Sequence, residues 1–276
     1  MTVLSQDYVL SNGVRIPKLG FGVWQVPDDV APGAVVTALA AGYRHIDTAR
    51  VYRNEAGVGQ GLKASGVARD QVFVTTKVPS ALKDAAEFPE FLAESLRRLG
   101  TDYLDLLLIH GPHPWPALPE HAGKTFFEEN AAVWQAMEVA YEQGALRAIG
   151  VSNFEIPDME NILTTCSVAP MVNQIEFRIG YTEDELTAFC QERGILIEAY
   201  SPLGIGRLID NPDIVAVATG LGVSVPQLCI RYCLQKGTLP LPKSVHPEYI
   251  QANTRVDFEV AEADMAVLDA LVIDLE

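Results

Sequence analysis

Four side chains of complementary acid–base character, Asp47, Tyr52, Lys77 and His110, each sit at or just beyond the end of a short apolar run. Together they have the makings of a proton-donating site. An unperturbed phenol has a pKa of about 10, too high to release a proton readily near neutrality. A neighbouring ammonium favours the phenolate and lowers that value, and a carboxylate holds the ammonium in place. An imidazole can then hydrogen-bond and orient a carbonyl oxygen, so that the set stabilises a developing alkoxide. The set lacks a nucleophile, so another molecule must deliver the electrons. Singly, each residue has a plainer reading: a cap, a solvated edge charge, a structural imidazole, a packed surface ring. Only their joint occurrence at one end of a fold points to chemistry.

The elements that position them are strand-like runs at 20–24, 44–47, 72–77, 104–110, 146–151, 171–175, 196–200 and 239–242. Most are continuous Val/Ile/Leu runs bounded by polar, Gly or Pro residues, as parallel strands buried on both faces require. Amphipathic segments lie between them; in 87–99, Phe88, Phe91, Leu92, Leu96 and Leu99 recur at helical spacing. Segments 126–143 and 182–193 read the same way. Gly42, Gly66, Gly100, Gly144 and Gly194 each fall shortly before a strand and can terminate a helix. An N-terminal hairpin (8–10, 14–17) turns at Asn12-Gly13. Eight strand–helix units without a linker predict a closed (β/α)8 TIM barrel in one domain, 1–276. An open doubly wound sheet is the alternative, but no phosphate-gripping G-x-G-x-x-G follows the first strand. Gly20-Phe21-Gly22 lacks the third glycine, and Gly57-Val58-Gly59-Gln60-Gly61 falls inside a helix.

Chemistry in such a barrel sits where strands end. Trp24 follows the first run, Asp47 the second with Tyr52 one turn on, Lys77 closes the third and His110 the fourth. Ser152 and Asn153 follow the fifth, Gln174 ends the sixth, Tyr200 and Ser201 follow the seventh, and Lys243 and Ser244 the eighth.

The 276 residues carry 20 Lys+Arg against 36 Asp+Glu, a net charge of −16, which argues against nucleic acid and anionic membrane as partners. Cys166, Cys190, Cys229 and Cys233 form no C-x-x-C pair and read as reduced, buried thiols. The first ten residues lack a secretory pattern and no apolar run reaches about 18 residues, so a cytoplasmic protein is expected.

The segment His45-Ile46-Asp47-Thr48-Ala49, followed by Val51-Tyr52 and Asn54-Glu55, resembles the aldo-keto reductase signature. The resemblance continues in order through Thr75-Thr76-Lys77, 106–110, 149–154, Asn173-Gln174, 199–204 and 241–245, and looks most similar to the prokaryotic branch that includes diketogluconate reductases. It implies a (β/α)8 barrel capped at its base by the N-terminal hairpin, with a nicotinamide cofactor across the top. It also implies roles. Tyr52 is the general acid, Lys77 and Asp47 its tuners, and His110 the orienter of the substrate carbonyl. Ser152, Asn153 and Gln174 hold the nicotinamide carboxamide and Tyr200 stacks on its ring. Ser201, Leu203 and Gly204 line the pyrophosphate path. Lys243, Ser244, Val245, His246, Tyr249 and Asn253 lie toward the phosphates and adenosine. Trp24, Val51 and Trp115 line the substrate pocket. The implied cofactor is NADPH, the partner a small carbonyl compound, the usual state a monomer.

Several positions depart from the family pattern. Tyr249 replaces the Arg that grips the 2′-phosphate and Ala252 replaces a Glu, so NADH use alongside NADPH is expected. Gly111 stands where relatives place Trp after the His, and Val78-Pro79-Ser80 where they carry Trp after the Lys. A wider pocket follows, refilled from the side by Trp115 of the 111–119 loop and suited to a bulky or apolar aldehyde or ketone and not a free sugar. The loop 202–212 is short, with Ile205 at a usual phosphate contact. The competing readings are a metal-dependent barrel hydrolase built on His45, His110, His113, His121 or His246, and a non-catalytic nicotinamide-binding subunit. The first lacks H-x-H and H-E-x-x-H, and the second would not need all four acid–base residues. A serine hydrolase would need a G-x-S-x-G elbow, which is missing.

Overall fold

The computed structural model describes residues 2–115 and 123–274. His121 and part of the 111–119 loop lie outside the described residues. The chain opens with the expected hairpin, β1 (Asp7–Val9) against β2 (Arg15–Pro17). At its turn the Leu10 N–H donates to Val14 O, and the Asn12 carboxamide oxygen accepts from the Val14 N–H. The Tyr8 hydroxyl donates to Thr238 O and Asn12 Nδ2 to Arg147 O, just before two of the barrel strands. The hairpin therefore lies across the N-terminal end of the barrel, with Leu10 and Ile16 buried beneath it.

Eight parallel strands follow: β3 (Phe21–Gly22), β4 (His45–Asp47), β5 (Phe73–Val78), β6 (Leu106–Ile109), β7 (Ile149–Ser152), β8 (Val172–Glu176), β9 (Leu196–Tyr200) and β10 (Leu239–Leu241). They pair in sequence order. The ring closes where the Gly20 and Gly22 N–H groups donate to the carbonyls of Pro240 and Pro242. This is a (β/α)8 barrel. Every residue of β5 is buried, as a strand covered on both faces demands.

The outer layer is α1 (Ala31–Ala40), α2 (Glu55–Ala64), α3 (Phe88–Leu99), α4 (Phe127–Glu142), α5 (Ile156–Thr165), α6 (Asp184–Glu192), α7 (Pro212–Leu221), α8 (Val225–Gln235), α9 (Pro247–Ala252) and α10 (Glu262–Asp269). The unit between β9 and β10 holds two helices, and two more follow β10, where the sequence pattern predicts simple alternation. Helix α3 buries Phe88, Phe91, Leu92 and Leu99 while its Arg97 and Arg98 face outward beside Glu94. The glycines of 57–61 lie inside α2 and serve packing. A Cβ at Gly59 would stand 2.6 Å from the Arg98 carbonyl, and one at Gly57 2.1 Å from that of Asp28. Cys190, Cys229 and Cys233 are buried, but Cys166, at the end of α5, is only half-buried, which corrects the expectation for that thiol.

Inside the barrel, Gly150 of β7 leaves room for its neighbours. A Cβ there would lie 2.6 Å from Val172 O and 2.8 Å from Leu108 Cδ2. Gly150→Ala is expected to destabilise the fold by about 1–3 kcal/mol, because backbone and a packed core side chain must both yield. Urea denaturation of the variant checks this; unchanged stability would contradict the packing.

Candidate active site

Asp47 closes β4, Lys77 lies in β5, and Tyr52 rides on a single 3-10 turn, Arg50–Tyr52, just beyond β4. That turn stops because Arg53 adopts a left-handed conformation, φ 58°. The Lys77 ammonium is fully buried. It donates to Asp47 Oδ1 and Oδ2 at 2.8 and 2.7 Å and to the Thr48 carbonyl at 3.0 Å, and it stands 3.5 Å from the Tyr52 hydroxyl. The Tyr52 and His110 rings meet edge-on, centroids 5.6 Å apart at 74°. Four groups separated by up to 63 residues in the chain thus converge at the C-terminal end of the strands. No described residue hydrogen-bonds the His110 ring.

Burial works to lower the Lys77 pKa, but the Asp47 carboxylate and then the Tyr52 phenol outweigh it, and the net shift is upward. Lys77 is a fixed cation. Burial raises the pKa of Tyr52, and the opposing pull of Lys77 does not overcome it. The sequence-based expectation of a lowered phenol pKa is therefore corrected: in a dry barrel mouth the desolvation of phenolate exceeds the attraction of an ammonium already engaged by Asp47. The phenol stays protonated at neutral pH. His110 is pushed down to about 3 by burial and then by the Lys77 charge, so its imidazole is neutral. Reduction that depends on neutral His110 is expected to keep a level rate from pH 5 to 7. A step near pH 6.5 in the pH–rate profile would contradict this.

A second group of side chains adjoins the first. Asn153 Nδ2 donates to His110 O and to Ser152 Oγ, at 3.0 and 3.1 Å, while its Oδ1 accepts from the Tyr200 hydroxyl at 2.8 Å. Ser152 Oγ donates to the main-chain oxygen of Gln174. Gln174 sits below the rim of the barrel and not at its lip: its Nε2 donates to Asp47 Oδ2 at 3.0 Å and to Glu198 Oε2 at 2.7 Å. Its amide oxygen accepts no hydrogen bond from a described residue. Leu203 and Gly204 lead into a tight turn, Gly204–Gly206. Ser244 and Asn253 are buried, whereas Lys243, Val245, His246 and Tyr249 are exposed on the same rim. The His246 and Tyr249 rings touch edge-on, centroids 5.4 Å apart.

Backbone strain singles out the same face. Gln25, Arg53, Phe126, Asn153, Glu183, Ser201 and Ile205 all have positive φ, and every one lies in a loop leaving the C-terminal end of a strand. The turns at the opposite end use glycines such as Gly100 and Gly144. Left-handed non-glycine residues cost on the order of 1–3 kcal/mol each and persist where side chains are needed at unfavourable backbone positions.

Trp24, in the loop that Asn54 ties to the Tyr52 turn, and Val51, within that turn, stand partly open, 39% and 45% exposed. Trp115 is 78% exposed, so it does not refill the space left by Gly111; a ring pointing into solvent narrows nothing. Of the alternative metal ligands, His45 is buried within the barrel and His246 lies on the outer rim. Among the described residues no three His, Cys, Asp or Glu side chains gather as a metal site.

Three residues escape a strand-end reading. Asn54 donates to the carbonyls of Val23 and Val26, and accepts from Thr48 Oγ1, tying the Trp24 loop to the Tyr52 turn. Lys83 Nζ donates to Pro112 O and Asn130 Oδ1, anchoring the loop after His110; burial pushes its pKa down to about 8. Glu198 lies fully buried in β9. Its signal in the sequence is an acid inside the apolar run Leu196-Ile197-Glu198-Ala199, away from the strand end.

The acceptor left open fits a nicotinamide: the Gln174 amide oxygen can take the hydrogens of a carboxamide, next to Ser152 and Asn153, whose own donors are engaged, and near Tyr200, whose hydroxyl is tied back to Asn153. The sequence profile of the Aldo/keto reductase family matches residues 18–273. The chain is 42% identical to an oxidoreductase of Bacillus subtilis, YtbE, and 41% identical to a glyoxal reductase of the same organism. Each alignment covers 98% of this chain and 94% of the relative. An aldo/keto reductase structure from Brucella melitensis superposes with a TM-score of 0.89 at 38% identity, covering 98% of both chains. A Bombyx mori aldo-keto reductase in complex with NADP gives 0.86 at 34%, covering 98% of this chain and 95% of that one. With its barrel, its strand-end side chains and these likenesses in agreement, the chain belongs to the aldo/keto reductase family.

Proposed function

We propose that this chain is an NAD(P)H-dependent carbonyl reductase, working as a monomer of one domain, residues 1–276, in the cytoplasm. The observation that carries the reading is the Tyr52 hydroxyl, held beside a fully buried Lys77–Asp47 pair and facing a neutral His110. When bound, the nicotinamide supplies a hydride from its C4 atom to the carbonyl carbon. Ser152, Asn153 and Gln174 would hold its carboxamide, Tyr200 its ring, and Ser201, Leu203 and Gly204 its pyrophosphate. Lys243, Ser244, Val245, His246, Tyr249 and Asn253 would take the 2′-phosphate and adenosine end. Lys243 forms no ion pair with a described residue, and a free cation suits a phosphate as a point charge.

The protein's own part in the chemistry is protonation and exclusion of water. His110 donates a hydrogen bond to the substrate oxygen and orients it. Tyr52 gives that oxygen its proton as charge develops there, and the Lys77 cation stabilises the phenolate left behind. Asp47 keeps Lys77 in place. Trp24 and Val51 would supply the apolar wall, and a glycine in place of a large ring at position 111 suits a bulky or apolar aldehyde or ketone, including dicarbonyls.

The test is oxidation of reduced nicotinamide with a panel of aromatic, dicarbonyl and sugar substrates. Turnover of the first two well above the sugars supports the pocket reading; faster turnover of sugars overturns it. Fluorescence quenching with each cofactor tests discrimination. A charge-assisted bond to a phosphate contributes about 1.5–3 kcal/mol, and its absence at Tyr249 leaves NADPH preferred over NADH by about tenfold or less. A preference of about a thousandfold would refute this.

A further inference from the structure

A carboxyl that the reaction does not touch lies directly beneath the site. Glu198 of β9 is paired in register with Gln174 of β8, and its side chain is fully buried. Gln174 has two amide hydrogens and spends both on carboxyls, one on Asp47 at 3.0 Å and one on Glu198 at 2.7 Å. A flipped amide would set its oxygen against the Asp47 carboxylate. The two carboxyls therefore hold the NH2 end inward and leave the amide oxygen as the only free acceptor of the side chain. On its other side Glu198 Oε1 has no hydrogen-bond partner, and it stands 3.8 Å from His45 Nε2, which is already bonded to Thr75 Oγ1 at 3.0 Å.

We propose that Glu198 is a positioning residue for the reduction, which with Asp47 fixes the orientation of the Gln174 amide that receives the nicotinamide and adds a second, ionisable carboxyl beneath Lys77. This rests on the nicotinamide reading of the site. The groups facing Glu198 are Asp47 and His45 from β4, Lys77 from β5, and Gln174 from β8. His45 is neutral there, its pKa pushed down to about 3 by burial and then by Lys77. The charge in the barrel is then one Lys77 cation against one Asp47 anion, with Glu198 as the variable. Burial, reinforced by the Asp47 charge, pushes the Glu198 carboxyl up to about 8, while Gln174 and Lys77 pull it back. At neutral pH it is an acid; above about pH 8 it becomes an anion that favours Lys77 as a cation. Since the phenolate left by proton transfer needs that cation, an ionised Glu198 extends activity toward alkaline pH.

Two substitutions separate the roles. Glu198→Gln keeps an acceptor for Gln174 but cannot ionise; Glu198→Leu offers neither. For Glu198→Leu, the dissociation constant of NADPH, read by fluorescence quenching, is expected to rise about 5–10-fold. For Glu198→Gln it is expected to stay within about twofold of the parent. The alkaline limb of that variant's pH–rate profile moves to lower pH by about half a unit, because the anion that helps keep Lys77 charged is gone. Unchanged NADPH affinity in Glu198→Leu, or a Glu198→Gln profile superimposable on the parent, overturns the proposal; should the leucine variant not fold, the glutamine profile decides. Failure of the unsubstituted protein to bind NADPH would instead defeat the functional reading and is seen in the same titration.

Discussion

Carbonyl reduction by Tyr52→Phe is expected to fall about 10³–10⁴-fold, with the dissociation constant of the reduced nicotinamide changed by no more than about twofold. The substitution removes one oxygen and leaves the ring in place. That ring packs edge-on against His110 and lies under the Lys77 ammonium, 5.1 Å from its centroid, and neither contact needs the hydroxyl. The hydroxyl's own hydrogen bond, from Lys77 at 3.5 Å, is long, so folding stability is expected to shift by less than about 1 kcal/mol. On the proposed reading, what is lost is the proton donor. Burial keeps the phenol protonated at neutral pH, while His110 is neutral and Lys77 is committed to Asp47 and Thr48. Steady-state rates and cofactor titration on one preparation check both halves. Retained activity would remove Tyr52 from its role, and lost cofactor binding would mean that the ring and not the proton had mattered.

Lys77→Met is expected to harm both stability and rate. The ammonium has no exposure and Asp47 only 4%, so removing one partner strands a charge in the barrel, at a cost of about 3–5 kcal/mol. Reduction is expected to fall about 10²–10³-fold, since the phenolate left after proton transfer loses its cation. Adding Asp47→Asn to Lys77→Met separates the effects. With the stranded charge gone, much of the stability returns, because an uncharged Met–Asn pair fills the same space; the rate does not return, because no cation remains. Urea denaturation and turnover of the single and double variants check this. Recovery of activity in the double variant would show that Lys77 serves the fold and not the chemistry.

These two substitutions lie in one cluster of contacts, so their effects on rate are not expected to add. A Tyr52→Phe variant has no phenolate to stabilise. Introducing Lys77→Met into it should therefore cost stability in full but little further activity.

The amino-acid sequence by itself determined the architecture and which side chains the barrel gathers at one end. Continuous apolar runs such as Leu106–Ile109, bounded by polar residues, suit strands buried on both faces of a parallel sheet, and glycines such as Gly100 end the helices between them. Asn12-Gly13 announces the hairpin, and Asp47, Tyr52, Lys77 and His110 at successive strand ends must meet once the strands close into a ring. Two things depended on distances between residues remote in the chain, which no local pattern carries. One is the balance of burial against charge: only the packed barrel shows that desolvation outweighs Lys77 at Tyr52, so that the phenol is raised and not lowered. The other is the register between neighbouring strands. It sets Glu198 beside Gln174, turns the Gln174 amide inward against Asp47, and lets Asn54 tie two loops 28 to 31 residues apart. Trp115 shows the same limit, because composition can suggest a ring for an empty space but cannot say whether the backbone carries it there. Side-chain type follows from local sequence; ionisation state and orientation follow from what the fold brings alongside.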